Sequence, residues 1–472
     1  MKNGRAFPIM IIATAVVVTV SLLPLNSMSS GLLKDFSLWS DLFPQEQTAQ
    51  AGGDTYVDPD LAIIKEEFAN ADDPTPGDTP VEQDSEEATD SESRAVTPIE
   101  ANESPLPDKP VRKEGGAVEI EDFSGHRLPN FRAAMASRDS RPVRIAVIGD
   151  SYIEGDIFTQ NVREKLQEQY GGNGVGYLPV HSDLTGFRQS IIQTCSGWEK
   201  HDFRHKGSQK PIFGIYHSAE ENAKTTVKGS KKMHRSATWN NSKFLFIAPT
   251  ATTITLSGDN GDQQFTVEAS DEVQCVEYDG FTKQLSLSTP STDLVSLGLY
   301  LNDNSGIAVD NMSIRGYSGI KHSELSPRLA QQMRRFIDYD LIIVEYGINA
   351  LSSDETNYAY YTRAMEKAIA TIREAYPQSD ILIMGIGDRG EKTGADVHSM
   401  KSVPYMVDQQ RKMAHKLQIP FWDTREAMGG HDAVVQWADS RDVNKDYIHL
   451  SFKGGDRLAS LFVTSLNELI ND

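Results

Sequence analysis

Cysteine is almost absent, with two in 472 residues. Two thiols cannot build a disulfide scaffold or a cysteine-rich zinc site. There is no basic excess either: 46 Lys and Arg stand against 67 Asp and Glu, for a formal net charge of −21. A chain that binds nucleic acid needs a cationic face for the phosphates, so this balance argues against nucleic acid as a partner. Apolar residues make up only 39%, which implies that part of the chain never enters a core.

The acidity is local. Between Asp54 and Lys109 stand 17 Asp and Glu but only 3 Lys and Arg, about two thirds of the net charge. Eight prolines fall between Pro59 and Pro110, in runs such as DDPTPGDTP. Such a segment buries too little apolar surface to offset its ordering entropy, and its like charges keep it extended. Residues 34–115 are therefore expected to form a disordered acidic stalk. Before them, Lys2 and Arg5 precede an uncharged run whose apolar centre, Phe7 to Leu25, is about 19 residues long. That is near the minimum for a membrane-spanning helix, and the positive flank places the body on the far side. Residues 1–33 are expected to be an anchor, or a signal segment if cut within LNSMSS, where no clean A-x-A site stands. In both cases the body is exported.

From about Val118 the pattern turns globular. VRIAVIGDS (Val143 to Ser151), DLIIVEYG (Asp340 to Gly347), DILIMGIG (Asp380 to Gly387) and IPFWD (Ile419 to Asp423) are short apolar runs ending in turn residues, as buried parallel strands do. Helical spacing separates them, most clearly with Tyr361, Met365, Ile369, Ile372 and Tyr376 on one face. Strands alternating with helices predict an α/β domain, a parallel sheet with helices on both faces. Between them the pattern changes to short alternating segments such as TTITLSGD, QQFTVEAS and KQLSLSTP. These predict an antiparallel β-sandwich at residues 196–312, inserted between α/β segments at 116–195 and 313–472. Trp198, Trp239, Tyr278 and Phe281 could form a sugar-stacking platform there or fill its core. Cys195 and Cys275 could pair in an oxidising compartment, though spacing does not bring them together.

Four short motifs could carry chemistry. Ser151 ends the first strand in Gly149-Asp150-Ser151, where open α/β sheets place their sites. Asp446 stands three residues before His449; a carboxylate there can hold one ring nitrogen while the other takes a serine proton. Asp439 and Asp442 are alternative carboxylate partners. Asn349 follows a strand end in EYGINA, and Gly319 lies in RGYSGI. An amide and a backbone N–H at such points could steady a developing oxyanion, with Gly316 as an alternative to Gly319. His398, His415 and His431 have no metal-ligand spacing among themselves.

Taken together, GDSYIEGD, RGYSG, YGIN and DYIHLS, in that order, resemble the SGNH (GDSL-type) hydrolase family. The resemblance implies a flavodoxin-like three-layer α/β fold. It implies Ser151 as nucleophile, His449 as base and Asp446 as its orienter. The oxyanion hole would be the Ser151 and Gly319 backbone N–H groups with the Asn349 amide, and no metal or organic cofactor would be needed. Tyr152 departs from close relatives, which often carry His after the serine. An exported domain of this kind with a β-sandwich between its first and second motifs resembles the peptidoglycan O-acetylesterase subgroup of Gram-negative bacteria. There the insert is similar to a carbohydrate-binding module. That resemblance implies a periplasmic serine esterase acting on an O-acetylated glycan and tethered to the inner membrane by its N-terminal segment. The same residues would serve a polysaccharide O-acetyltransferase, and a non-catalytic glycan-binding protein is the reading from another class.

Overall fold

A computed structural model describes residues 61–66 and 104–471, apart from 63, 114, 184–186, 204–208 and 395. The expected anchor at 1–33 and most of the acidic segment lie outside these residues. No helix among the described residues is long and apolar enough to cross a membrane.

In chain order the helices are α1 (Pro129–Ala136), α2 (Thr159–Tyr170), α3 (Pro327–Met333), α4 (Ala359–Ala375), α5 (Val403–Lys416), α6 (Thr424–Met428), α7 (Ala433–Asp439) and α8 (Phe452–Asn471). The first strands are β1 (Pro142–Gly149), β2 (Gly176–Leu178), β3 (Ile191–Asp202), β4 (Ile215–Gly229) and β5 (Trp239–Ala248). They continue as β6 (Thr252–Gly258), β7 (Gly261–Val267), β8 (Ser270–Thr282), β9 (Gln284–Thr289), β10 (Val295–Asn302) and β11 (Gly306–Ser313). The last are β12 (Leu341–Glu345), β13 (Asp380–Met384), β14 (Gly390–Thr393), β15 (Asp396–Ser399) and β16 (Phe421–Trp422).

Five of these strands form a parallel sheet in the order β11-β1-β12-β13-β16. Counted within that sheet the order is 2-1-3-4-5, the flavodoxin-like winding. Its strands are buried almost throughout, which explains their unbroken apolar sequence. The helices meet the sheet through their expected faces. Tyr361, Met365, Ile369 and Ile372 of α4 are all buried. In this winding the switch point lies between β1 and β12, and there the chain reverses direction across the sheet. Gly149, Ser313 and Glu345 end their strands in register, so three loops leave the sheet side by side.

Both boundaries of the insert differ from the expectation. β2 and Ile191 to Cys195 of β3 fall within 116–195, yet they pair in the antiparallel sheet. Gly306 to Met312 was placed with the inserted segment, yet β11, Gly306–Ser313, runs parallel beside β1 over its whole length. It is buried on both faces, whereas insert strands such as β6 and β9 alternate. The acidic segment differs as well. Leu61 is buried in the main core and Ile64, one helical turn on, packs against it. Pro107 O accepts a hydrogen bond from Arg411 Nη2 at 2.7 Å, so part of residues 104–113 also lies on the body rather than away from it.

Nine antiparallel strands, β2 to β10, form the second sheet, hydrogen-bonded into one branched network. They have a core of their own, containing Trp239, Phe244, Phe246, Leu256 and Leu299. Two strands serve two cores. In β5, Phe244 and Phe246 face that core while Leu245 and Ile247 join the main one; in β10, Leu299 and Leu301 do the first and Leu297 and Tyr300 the second. Side chains alternate along a strand, so these runs are apolar throughout because both faces are covered. Trp198, Trp239 and Tyr278 are buried and fill the core; Phe281 alone of that group is exposed. Cys195 and Cys275 are both free. They lie against different cores, Cys195 against the insert's and Cys275 against the main one, which keeps them from pairing.

A buried ion pair fastens the two parts together. Arg144 of β1 donates to both oxygens of Asp310 at 3.0 Å and to Asn302 Oδ1 at 2.5 Å. Asp310 also accepts from the Tyr177 backbone N–H of β2 at 2.9 Å.

Candidate active site

Ser151 follows β1 at the switch point of the parallel sheet. Its strand end is tightly enclosed: a Cβ on Gly149 would come within 2.8 Å of the Glu345 carbonyl oxygen, so only glycine fits. Asp150 turns inward and accepts the Tyr152 N–H at 2.9 Å, which shapes the bend that presents Ser151. Tyr152, the departure from the family pattern, is buried away from the serine, with its hydroxyl against Met428 Sδ at 3.5 Å.

His449 arrives on the loop between α7 and α8. Asp446 Oδ1 accepts the backbone N–H groups of Ile448 at 2.9 Å and His449 at 3.0 Å, and Tyr447 takes a left-handed φ of 57° to close the turn. His449 O accepts the Asn444 N–H at 2.8 Å, and Tyr447 O accepts the Gly390 N–H at 2.8 Å. The imidazole is therefore held from several sides. Its Nε2 lies 2.9 Å from Ser151 Oγ and its Nδ1 lies 2.8 Å from Asp446 Oδ2. Burial works to raise the Asp446 carboxyl, but the hydrogen bonds and charge of His449 outweigh it and hold it below the usual range. Asp442 instead binds Lys453 and Arg457 at 3.0 and 2.7 Å.

Asn349 sits in a short 3-10 turn, Ile348–Ala350, just after β12. Its amide donates to Asp150 Oδ2 at 2.8 Å and to the Tyr317 carbonyl at 2.9 Å. An amide nitrogen has two hydrogens, so both are engaged. This clamp draws the loop carrying Gly319 toward the Ser151 turn. Gly319 has φ 89°, and a Cβ there would lie 2.6 Å from the Tyr346 ring, so the position requires glycine. Among the described residues, neither the Ser151 nor the Gly319 backbone N–H donates to another backbone group. Gly316, the alternative, also has a left-handed φ, of 76°.

Three buried charged groups near the site were not singled out from sequence. Asp150 and Glu345 are two fully buried carboxyls side by side at the ends of β1 and β12. Burial pushes Asp150 up to about 7 and raises Glu345 well above its ordinary range. Arg389, in the loop after β13, donates to Ile348 O at 3.1 Å; burial lowers its guanidinium, partly offset by Glu391 and by Asp150 and Asp446. Asp150 and Glu345 hide within apolar strand ends, but Arg389 follows DILIMGIG, and the strand-end rule that found Ser151 and Asn349 also reaches it. His398 and His431 lie beside Asp432 at the surface, and His415 packs edge-on against Phe123, so none joins the site. Among the described residues no group of three or more His, Cys, Asp or Glu could hold a metal ion.

Comparison with known proteins points the same way as the motifs. Residues 286–457 match the GDSL-like Lipase/Acylhydrolase family. The matched stretch contains Gly319, Asn349, Asp446 and His449; Ser151 precedes it, on the other side of the inserted strands. No curated protein matches the chain. Among solved structures, one titled as a peptidoglycan O-acetylesterase in action is 23% identical, covers 75% of this chain and 99% of its own, and superposes with a TM-score of 0.62. It shares the fold of this chain's body. Family two carbohydrate esterases from Clostridium thermocellum and Cellvibrio japonicus are 10% and 11% identical, each over 60% of this chain and 98% of their own, with TM-scores of only 0.26 and 0.27.

Proposed function

We propose that this protein is a serine esterase that removes O-acetyl groups from a cell-envelope glycan, peptidoglycan foremost. The observation that carries the reading is the unbroken chain Ser151 Oγ, His449, Asp446 at 2.9 and 2.8 Å, placed at the switch point of an acylhydrolase domain. In this reading Ser151 Oγ attacks the acetyl carbonyl while His449 Nε2 takes its proton. Asp446 holds the ring in the tautomer that leaves Nε2 free to accept, and steadies the imidazolium. The oxyanion is met by the Ser151 and Gly319 N–H groups and by the Asn349 amide. The tetrahedral intermediate collapses, the sugar oxygen leaves with the proton from His449, and the acetyl group stays on Ser151. Water, deprotonated by His449, then attacks the acyl-enzyme and frees acetate. The side chains of His449 and Asp446 remain about a quarter exposed, which leaves room for a bulky glycan to approach.

The glycan follows from three supports: the fold shared with the peptidoglycan O-acetylesterase structure, the four motifs, and an inserted β domain that this reading treats as similar to a carbohydrate-binding module. The run Phe7 to Leu25 would hold the body in the periplasm beside the inner membrane. The test is acetate release from O-acetylated peptidoglycan by the full-length protein, beside a Ser151→Ala control. Release lost in the variant supports the esterase. Acetylation of Ser151 by a small activated ester with no release to water would favour the O-acetyltransferase, and neither signal would favour a glycan-binding role.

A further inference from the structure

The Asn349 amide can meet an oxyanion only if the short turn that carries it is held still. Two backbone bonds close that turn, Ile348–Ala350. Ala350 N–H donates to Gly347 O at 3.0 Å, and Leu351 N–H to Ile348 O at 3.5 Å. The second is longer than an ordinary hydrogen bond. Arg389 Nη1, from the loop after β13, reaches the same Ile348 O at 3.1 Å. The Ile348 carbonyl and the Asn349 N–H belong to one rigid peptide plane. Fixing that oxygen therefore fixes the plane from which the Asn349 side chain departs.

The same stretch of chain grips the loop of the base. Gly390 N–H donates to Tyr447 O at 2.8 Å, and Tyr447 lies between Asp446 and His449. A Cβ on Gly390 would come within 2.6 Å of the Tyr447 Cβ, so only glycine allows the two loops this close. Glu391 accepts from Ser353 Oγ, just past the Asn349 turn, and Arg389 O accepts the Met400 N–H at 2.7 Å. Three successive residues thus join the Asn349 side of the site to the His449 side. The arginine among them is only 8% exposed. Burial disfavours its charge. The carboxylates that offset this, Glu391, Asp150 and Asp446, act through space, and among the described residues none bonds it. A buried guanidinium without a bonded counter-ion is costly, and an apolar side chain would fill the same space at less cost to the fold. What Arg389 supplies that an apolar residue could not is the bond to Ile348 O.

We propose that Arg389 is a positioning residue for the esterase reaction, holding the peptide that aims the Asn349 amide at the oxyanion. The proposal rests on the esterase reading and adds to it a residue that stands in none of the four motifs. A double-mutant cycle on the full-length protein, with p-nitrophenyl acetate as substrate, tests it. Arg389→Met removes the bond to Ile348 O, and Arg389→Lys keeps a charged donor. Arg389→Met should lower kcat by about 10- to 100-fold with KM changed less than about twofold, the scale of a misplaced catalytic donor. Arg389→Lys should recover part of that loss. In an Asn349→Ala background, either substitution at Arg389 should cost less than about threefold, because the amide it aims is already gone. If the Met variant shows no urea transition, the Lys variant carries the cycle. Losses that multiply in full across the two sites would overturn the proposal, since Arg389 would then act apart from Asn349. A lowered urea midpoint with kcat intact would overturn it too, leaving Arg389 a brace for the fold. Either result leaves the esterase standing, whereas absence of Ser151-dependent hydrolysis in the unaltered protein would sink both.

Discussion

Asn349 donates a 2.8 Å hydrogen bond to the buried carboxyl of Asp150, the residue that precedes Ser151. Its other amide hydrogen goes to Tyr317 O. In the esterase reading, an oxyanion forming on Ser151 must therefore share or displace one of these partners. Asn349→Ala is expected to lower kcat on p-nitrophenyl acetate by about 10²–10³-fold with little change in KM. A fall in stability with kcat nearly intact would show that the amide only ties the two loops together.

Asp446 and Asp442 lie close in sequence but have different partners. Asp446→Asn should lower kcat by about 10⁴, because an amide beside Nδ1 stabilises the wrong tautomer of His449. Asp442→Asn weakens the ties to Lys453 and Arg457 and should move the urea midpoint instead of kcat. Equal kcat losses in both would remove the distinction.

The Asp150–Glu345 pair predicts a pH effect on stability. Burial raises the Asp150 carboxyl from 3.8 to about 7, so the folded state holds its proton more tightly than the unfolded state. That contribution is complete below the unfolded value and is lost as pH rises toward about 7; the raised Glu345 acts with the same sign. The urea midpoint of the unaltered protein should therefore fall more between about pH 5 and pH 8 than that of Asp150→Asn. Parallel midpoints across that range would refute the assignment.

Asp156, fully buried with a left-handed φ of 68°, binds Arg163 at 2.8 and 3.0 Å, Arg188 at 2.8 Å and Ser190 at 2.6 Å. Burial opposes its charge, but the two guanidinium groups hold its carboxyl far below the usual range. Asp156→Ala strands the buried Arg163 and should reduce unfolding free energy by about 3–5 kcal/mol in urea titration. A loss under about 1 kcal/mol would mean that water or another group satisfies Arg163.

The sequence was most legible where local chemistry and strand ends coincide. Apolar runs ending in GDS, EYGIN and DILIMGIG marked β1, β12 and β13, and the order of the motifs pointed to Ser151, Asn349, Asp446 and His449 before any geometry. β11 was missed for a physical reason: IAVDNM follows a series of antiparallel strands, and nothing within eight residues states which sheet a strand will join. Its buried Asp310 acquires meaning only opposite Arg144. The Asp150–Glu345 pair was illegible because their contact is made across two strands 195 positions apart in the chain. The four aromatics of the insert divided along the same line, since three of them serve packing and one faces solvent.

The two-faced strands β5 and β10 bear on how this protein could have been assembled and how it comes apart. A module joined by a flexible linker can be excised and keeps its own shape. Here, removal of the insert would bare the main-core side of Leu245, Ile247, Leu297 and Tyr300, and would cut the chain between β1 and its neighbour β11. Neither half closes its hydrophobic surface alone, so cleavage or heat should fail to release a free catalytic domain, and a single cooperative transition should carry both halves of the body.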